Sequence, residues 1–208
     1  LAAYEPVAPL PSQPDDLAWL FYTSGTTGRS KGAMLTHGNL LAMCAAHWAD
    51  IDDPAPGTSL IHAAPMSHGS GLYMLPYLAR GVAQVVPASG AFEPGEVLDL
   101  CHAHPGAAMF LAPTMVRRMC DHVEASGESA DGLRLVIYGG GPMYVSDMRR
   151  ALDEFGPKFA QIYGQGESPM TITGLAACDH TGADDAVLGS VGRARSGVEV
   201  RVVDAAGA

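Results

Sequence analysis

An α/β fold, with a largely parallel sheet and helices on both of its faces, is what this sequence predicts, and three observations predict it. From residue 17 onward short apolar runs alternate with longer stretches of helical periodicity, and strands separated by helices pair in parallel. Glycine-rich loops follow several of the apolar runs, as expected where a ligand meets the carboxyl ends of parallel strands. Past about residue 170 strand-like runs follow one another with no helix between them, so extra β structure, antiparallel or separate, is expected at the C-terminal end.

Residues 1–16 contain Pro6, Pro9, Pro11 and Pro14 beside Asp15 and Asp16. Proline at this density sustains neither a helix nor a central strand, so the stretch reads as a connector, and the chain as one that begins mid-protein. Residues 17–22 are apolar throughout and read as a buried strand. Thr36 caps a helix with Leu40, Leu41, Cys44 and Trp48 on its apolar face, ended by Asp52-Asp53-Pro54. Strands are then expected over 59–64, 84–86, 108–111, 133–138 and 159–163, and helices over 72–78, 94–104, 115–123 and 145–155, the third of these strands preceded by a helix with Val97, Leu98 and Cys101 inward. Residues 170–175 and 198–204 are strand-like. The organisation that follows is a connector (1–16), an α/β nucleotide-binding subdomain (17–176) and the truncated start of a β-rich segment (177–208).

Composition narrows the function classes. The chain has 208 residues, 48% hydrophobic and 16% charged, which is globular. No apolar run is long enough to span a membrane and the N-terminus lacks the basic start of a signal peptide, so a cytoplasmic protein without stable membrane insertion is expected, with homo-oligomer formation left open. A formal net charge of -10 argues against nucleic acid as a partner, and makes any nucleotide site depend on locally placed cations and Mg²⁺. Cys44, Cys101, Cys120 and Cys178 show no C-x-x-C spacing and read as buried free thiols. Cys101, His102 and His104 do not make a metal site on a helix, because positions two apart point in different directions.

The chemistry concentrates after the first strand, in Tyr22-Thr23-Ser24-Gly25-Thr26-Thr27-Gly28-Arg29-Ser30-Lys31-Gly32. Glycines let successive N–H groups turn inward, hydroxyls add uncharged donors, and lysine adds a mobile cation, which together describe a polyphosphate cradle. A Walker A loop is excluded by spacing, since Ser30 stands where its last glycine belongs and Gly32 follows the lysine. Three further loops follow strands: Pro65-Met66-Ser67-His68-Gly69-Ser70-Gly71, with one histidine among small residues; Tyr138-Gly139-Gly140-Gly141-Pro142, bare backbone for a flat ring; and Tyr163-Gly164-Gln165-Gly166-Glu167, an aromatic ring, two glycines and a carboxylate. Taken singly, each has an ordinary alternative: a glycine turn, a hydrogen-bonded surface histidine, a solvated carboxylate. Their order after successive strands favours one shared site.

In that order the loops resemble the adenylate-forming superfamily, which includes acyl-CoA synthetases, peptide-synthetase adenylation domains and firefly-type luciferases. Its signature T-S-G-[ST]-T-G-x-P-K-G is matched from Thr23 to Gly32 except at Ser30, where proline is customary. Its H-x-x-G, G-[GA]-[AG]-P, Y-G-x-T-E and G-S-x-G segments are similar to His68–Gly71, Gly139–Pro142, Tyr163–Glu167 and Gly189–Gly192 with Gly197 beyond. The resemblance implies a partial acyl-CoA synthetase-like N-terminal domain.

The resemblance also implies roles. Thr23, Ser24, Gly25, Thr26, Thr27, Gly28 and Lys31 would hold the ATP phosphates; Gly140, Gly141 and Pro142 would line the adenine slot and Tyr163 would stack on the ring; Glu167 would bind Mg²⁺. His68 would border the acid substrate, and Gly139, Gly164 and the Ala112-Pro113-Thr114 turn would shape its pocket. Lys31, His68 and Glu167 are thus the catalytic candidates, with Gly164 shared between nucleotide and acid. The implied reaction activates a small-molecule carboxylic acid, fatty or otherwise acyl, with ATP and passes it to coenzyme A. Peptide-synthetase domains usually carry an aspartate where this chain has Pro65–Gly71, and none is present there. Gly166 stands where the family usually has threonine, and the ribose-binding aspartate, hinge and lysine-bearing C-terminal domain lie past residue 208, so the chain alone is expected to bind ATP weakly without turnover. A catalytically silent nucleotide-binding or interaction module is the alternative.

Overall fold

The computed structural model describes residues 7–23 and 30–207. Residues 7–16 carry neither helix nor strand, and their end docks on the next helix through Gly38 N–H to Pro14 O at 2.7 Å and His37 N–H to Asp16 O at 3.0 Å. The first strand, β1 (Leu17–Thr23), is present but is not buried. It pairs antiparallel with an unexpected strand, β2 (Lys31–Thr36), in a two-stranded hairpin apart from the main sheet. Trp19, Phe21 and Thr23 turn inward while Leu20 and Tyr22 face outward, because a hairpin with one covered face shows period two whatever its overall hydrophobicity.

Thr36 caps α1 (His37–Asp50) reciprocally: its hydroxyl accepts from Asn39 N–H, and the Asn39 side chain accepts from Thr36 N–H. The inward stripe is Met43, Cys44, Ala46 and His47; Leu41, expected inward, is 66% exposed because it lies roughly 140° round the helix from the centre of that stripe.

The main sheet has seven strands in the order β4-β3-β5-β6-β7-β8-β9. These are β3 (Ser59–Ile61), β4 (Ala83–Val85), β5 (Ala107–Leu111), β6 (Leu133–Tyr138), β7 (Phe159–Tyr163), β8 (Thr173–Leu175) and β9 (Arg193–Ala194), and the first five pair in parallel. Between them run α2 (Gly69–Leu78), α3 (Pro94–Ala103), α4 (Pro113–Ser126) and α5 (Val145–Phe155). Alternate residues of β5 show the two-sided burial of a parallel sheet. Ala107, Met109 and Leu111 join the core beneath α3, α4 and α5, whereas Ala108 and Phe110 join the core beneath α1 and α2. The chain leaves β3 through α2 to β4 on one side and returns through α3 to β5 on the other. The strand order therefore reverses between β3 and β5, the place where a doubly wound sheet opens a crevice at its carboxyl edge.

Past β7 the sheet turns antiparallel, with β8 against β7 and β9 against β8. Residues 198–204, expected as strand, carry none. A 3₁₀ turn (Ala177–His180) and a short helix, α6 (Asp185–Leu188), occupy the stretch expected to hold no helix. Asp184 caps α6 by accepting from Val187 N–H, and Leu188 reaches the core beneath α5, so a single buried leucine justifies a helix too short for periodicity to reveal. Three thiols are buried, but Cys178, in the 3₁₀ turn, is exposed. No described helix is long and apolar enough to cross a membrane.

Candidate active site

At the carboxyl ends of β5, β6 and β7 the chain leaves a cavity of about 170 Å³. Its walls are Phe21 from the hairpin, Gly69, Leu72 and Tyr73 from α2, Phe110, Gly140, Ile162, and the loop residues Gly164 to Gly166, Pro169 and Met170. Glycine is what allows these walls to meet. A Cβ on Gly139 would run into Ile162 O, and one on Gly164 would lie 2.5 Å from Met170 N. Gly140 has φ +77, a conformation glycine adopts without penalty. The Tyr73 ring stacks on Phe110 with centroids 5.3 Å apart, giving the cavity a flat apolar side.

His68 is the N-cap residue of α2 and is exposed, with its ring 5.8 Å from Phe21 and its Nδ1 3.2 Å from Ser67 O. It stands at the mouth of the cavity, next to Gly69, and is not part of its wall. Thr23 and Lys31 face each other across the hairpin register at the two stems of the cradle loop, with Lys31 exposed. Ser24, Gly25, Thr26, Thr27 and Gly28, the rest of the cradle, lie outside the described residues. Gly141 and Pro142 are exposed beyond Gly140 on the loop after β6, and Tyr163 is 40% exposed at the end of β7.

Glu167 lies on the outer side of the same 164–170 loop, exposed, in a hollow it shares with Asn39, Thr171 and Ser196. Among the described residues no cluster of three metal-binding side chains occurs. A lone carboxylate does suit Mg²⁺, which keeps several waters and takes its remaining oxygens from substrate phosphates. Gly166, where a threonine hydroxyl was missed, has a steric cause: a Cβ there would overlap Thr23 Cγ2 and lie 3.1 Å from Phe21 Cδ1. The hairpin occupies the space that a side chain at residue 166 would need.

Sequence reading missed Phe21, Leu72, Tyr73, Phe110, Ile162 and Met170 as cavity residues, because apolar positions on strands and helices look like ordinary core. Only Met170 carries a local anomaly, the one positive φ (61°) at a non-glycine among the described residues.

Three histidines are buried elsewhere in the interior, and burial favours their neutral form. Burial pushes the His47 pKa down to about 4 and lowers those of His62 and His180. His62 bridges Ser70 Oγ and Gln84 Oε1 at 2.9 Å each, and His180 bridges Tyr138 Oη and Ala176 O at 3.0 Å each. A hollow of about 310 Å³ beside α5 is larger, but its Arg149 already pairs with Asp185, and none of the loops after the parallel strands reaches it.

The AMP-binding enzyme family profile matches residues 2–208. The chain is 34% identical to the medium/long-chain-fatty-acid–CoA ligase FadD8 of Mycobacterium tuberculosis, over 98% of this chain and 35% of that protein. It superimposes on the amide bond synthetase McbA from Marinactinospora thermotolerans with a TM-score of 0.84 and 28% identity, covering 100% of this chain and 41% of that one. ATP-bound MatB from Rhodopseudomonas palustris gives a TM-score of 0.76 and 31% identity, covering 96% and 38%. The chain thus spans about a third of the length of the curated relatives it matches.

Proposed function

Because the chain belongs to the AMP-binding enzyme family, we propose that it forms the ATP-, Mg²⁺- and acid-binding core of an acid–CoA ligase that works through an acyl adenylate. The observation that carries this reading is the cavity in which α2, Phe110 of β5 and the loops after β6 and β7 meet Phe21 of β1, beside the stems of the phosphate cradle. Its walls are apolar apart from main-chain edges and Gln165, which suits the hydrocarbon part of an acid, and its mouth is marked by His68. The fatty-acid name of FadD8 and the absence of an aspartate between Pro65 and Leu72 favour a plain carboxylic acid over an amino acid.

In the proposed first step a carboxylate oxygen bonds to the α-phosphorus of ATP while the bond to the departing pyrophosphate breaks. A carboxylate is ionised at neutral pH and needs no general base, so the protein's task is to align the reactants and meet the growing charge. His68 and Gly69 border the acid; Gly140, Gly141 and Pro142 offer a flat edge to adenine, with Tyr163 to stack on it; Lys31 and the cradle meet the β- and γ-phosphates. Glu167 would hold Mg²⁺, which when bound neutralises phosphate charge. In the second step the coenzyme A thiol attacks the acyl carbon and AMP leaves.

Acid-dependent pyrophosphate release by the full-length protein that carries this sequence tests the reading, with a panel of fatty and aromatic acids and with coenzyme A as acceptor. Glu167→Gln is expected to lower the Mg²⁺-dependent rate about a hundredfold. ATP binding with no acid-dependent release from any member of the panel would favour a silent nucleotide-binding module.

A further inference from the structure

Arg195 is a charged side chain in the interior, 2% exposed, and no sequence motif drew attention to it. A guanidinium is tolerated there only when its N–H groups find acceptors. Its Nε donates to Asp50 Oδ2 at 3.0 Å, its Nη2 to Ala46 O at 2.8 Å and its Nη1 to Met170 O at 2.9 Å. Ala46 and Asp50 lie at the C-terminal end of α1, the negative end of the helix dipole, which favours a cation. Asp50 also accepts from Ser196 N–H and Oγ–H, which tethers the chain after β9 to the same helix end.

Met170 is the wall residue with φ 61°, a backbone state that persists in a side-chain-bearing residue only when its surroundings impose it. Two restraints on it are visible. Its N–H side is packed so closely against Gly164 that a Cβ on Gly164 would lie 2.5 Å away, and its carbonyl is held by Arg195. The rest of the loop closes on itself through Gln165 N–H to Ser168 O (3.1 Å), Ser168 N–H to Gln165 O (3.2 Å) and Ile172 N–H to Tyr163 O (3.1 Å). The backbone of Arg195 completes the tie by donating to Ile172 O at 3.1 Å.

We propose that Arg195 is a positioning residue that determines acid selectivity: by holding the Met170 carbonyl against the end of α1, it keeps the Met170 side chain in the cavity wall and so limits the size of acid admitted. This rests on the ligase reading above, since it assigns that cavity to the acid. ATP would be affected less than the acid, because Gly140, Gly141, Pro142 and Lys31 lie on other segments of the chain and only Gly164, Tyr163 and Glu167 share the segment that Arg195 holds.

The test is steady-state kinetics of the full-length protein with a graded series of acids. Arg195→Met, which keeps length and loses all three donors, is expected to raise the acid KM about tenfold and the ATP KM by less than about threefold. It should also shift the ratio of kcat/KM between the largest and smallest acids about fivefold toward the larger. Arg195→Lys, with one donor able to reach Met170 O, should recover part of both effects. In a Met170→Gly background, where no side chain remains to be positioned, Arg195→Met should add less than about twofold. Equal rises in acid and ATP KM, or an unchanged acid ratio beside a lowered melting temperature, would reduce Arg195 to a structural strut. If the wild-type protein releases no pyrophosphate with any acid, the ligase reading fails by itself. The clamp is then read from hydrogen exchange at Gln165, Ser168 and Ile172, which Arg195→Met should accelerate about tenfold relative to Met109 and Val136; unchanged exchange would overturn it.

Discussion

Gly166→Ala is the substitution for which the geometry gives the most direct forecast. The new Cβ would overlap Thr23 Cγ2 by more than about 1 Å, taking about 3.5–4.0 Å as an ordinary carbon–carbon contact. Phe21 Cδ1, 3.1 Å away, blocks retreat on a second side. Overpacking of this kind costs about 1–3 kcal/mol, and because a single methyl on a half-buried threonine is the main obstacle the expectation is about 2 kcal/mol. With a urea dependence of about 2 kcal/mol per molar, that lowers the unfolding midpoint by about 1 M. Thr23→Ser keeps the hydroxyl and deletes the offending methyl, so the double variant should recover about 1 kcal/mol relative to the sum of the single changes. Among the described residues the Thr23 hydroxyl finds one acceptor, Lys31 O at 3.5 Å, so Thr23 can turn away to admit alanine, and by moving this cradle residue Gly166→Ala should also weaken binding of a non-hydrolysable acyl-adenylate mimic. Equilibrium unfolding and calorimetry on the four proteins form the assay. A Gly166→Ala midpoint equal to wild type, or strict additivity with Thr23→Ser, would refute the steric account of this glycine.

Three other outcomes are expected. His47 has a folded pKa of about 4 against an unfolded value near 6.5, so the unfolded state alone takes up the proton between those pH values. Stability is therefore full above about pH 6.5 and falls by about 3 kcal/mol toward pH 4, with His62 and His180 adding in the same direction. Urea midpoints across pH should decline less steeply in His47→Gln; parallel profiles would remove His47 from the effect. Asp52 takes Arg134 in a two-pronged pair (2.7 and 2.8 Å) and accepts the Tyr77 hydroxyl at 2.5 Å, so Asp52→Ala should cost about 3 kcal/mol by leaving the half-buried guanidinium without its partner, measurable as a lowered urea midpoint. Cys178 should react with a disulfide reagent within seconds in the native state, while Cys44, Cys101 and Cys120, buried with raised pKa values, wait for unfolding; two or more fast thiols would contradict this burial pattern.

Much of the architecture could be read from the chain because the physics is local. Strands β3 to β7 and helices α3 to α5 follow from alternation between apolar runs and amphipathic stretches, and the Thr36 cap follows from its own side chain and that of Asn39. The two errors at the ends of the chain share one origin. Residues 17–22 and 198–204 are both apolar enough for a strand, but whether such a run enters the main sheet, pairs as an outlying hairpin or stays irregular depends on which neighbour offers a free edge.

For the candidate site, sequence by itself determined where the loops lie: the glycine runs after β6 and β7, the loop carrying Glu167, and the loop carrying His68, although α2 begins at Gly69, three residues earlier than expected, and makes His68 its N-cap. Only the tertiary structure decided the walls and their supports. Phe110 and Met170 are indistinguishable from core until the crevice between strands is formed, and Gly166 looks like a defect until Thr23 and Phe21 are seen to fill its space. Arg195 reads as a surface charge until it meets Ala46, Asp50 and Met170, two of them about 150 residues away in the chain. The physical reason is that backbone geometry is dictated by the residue that adopts it, whereas burial and the pairing of a buried charge are properties of whatever the fold brings alongside.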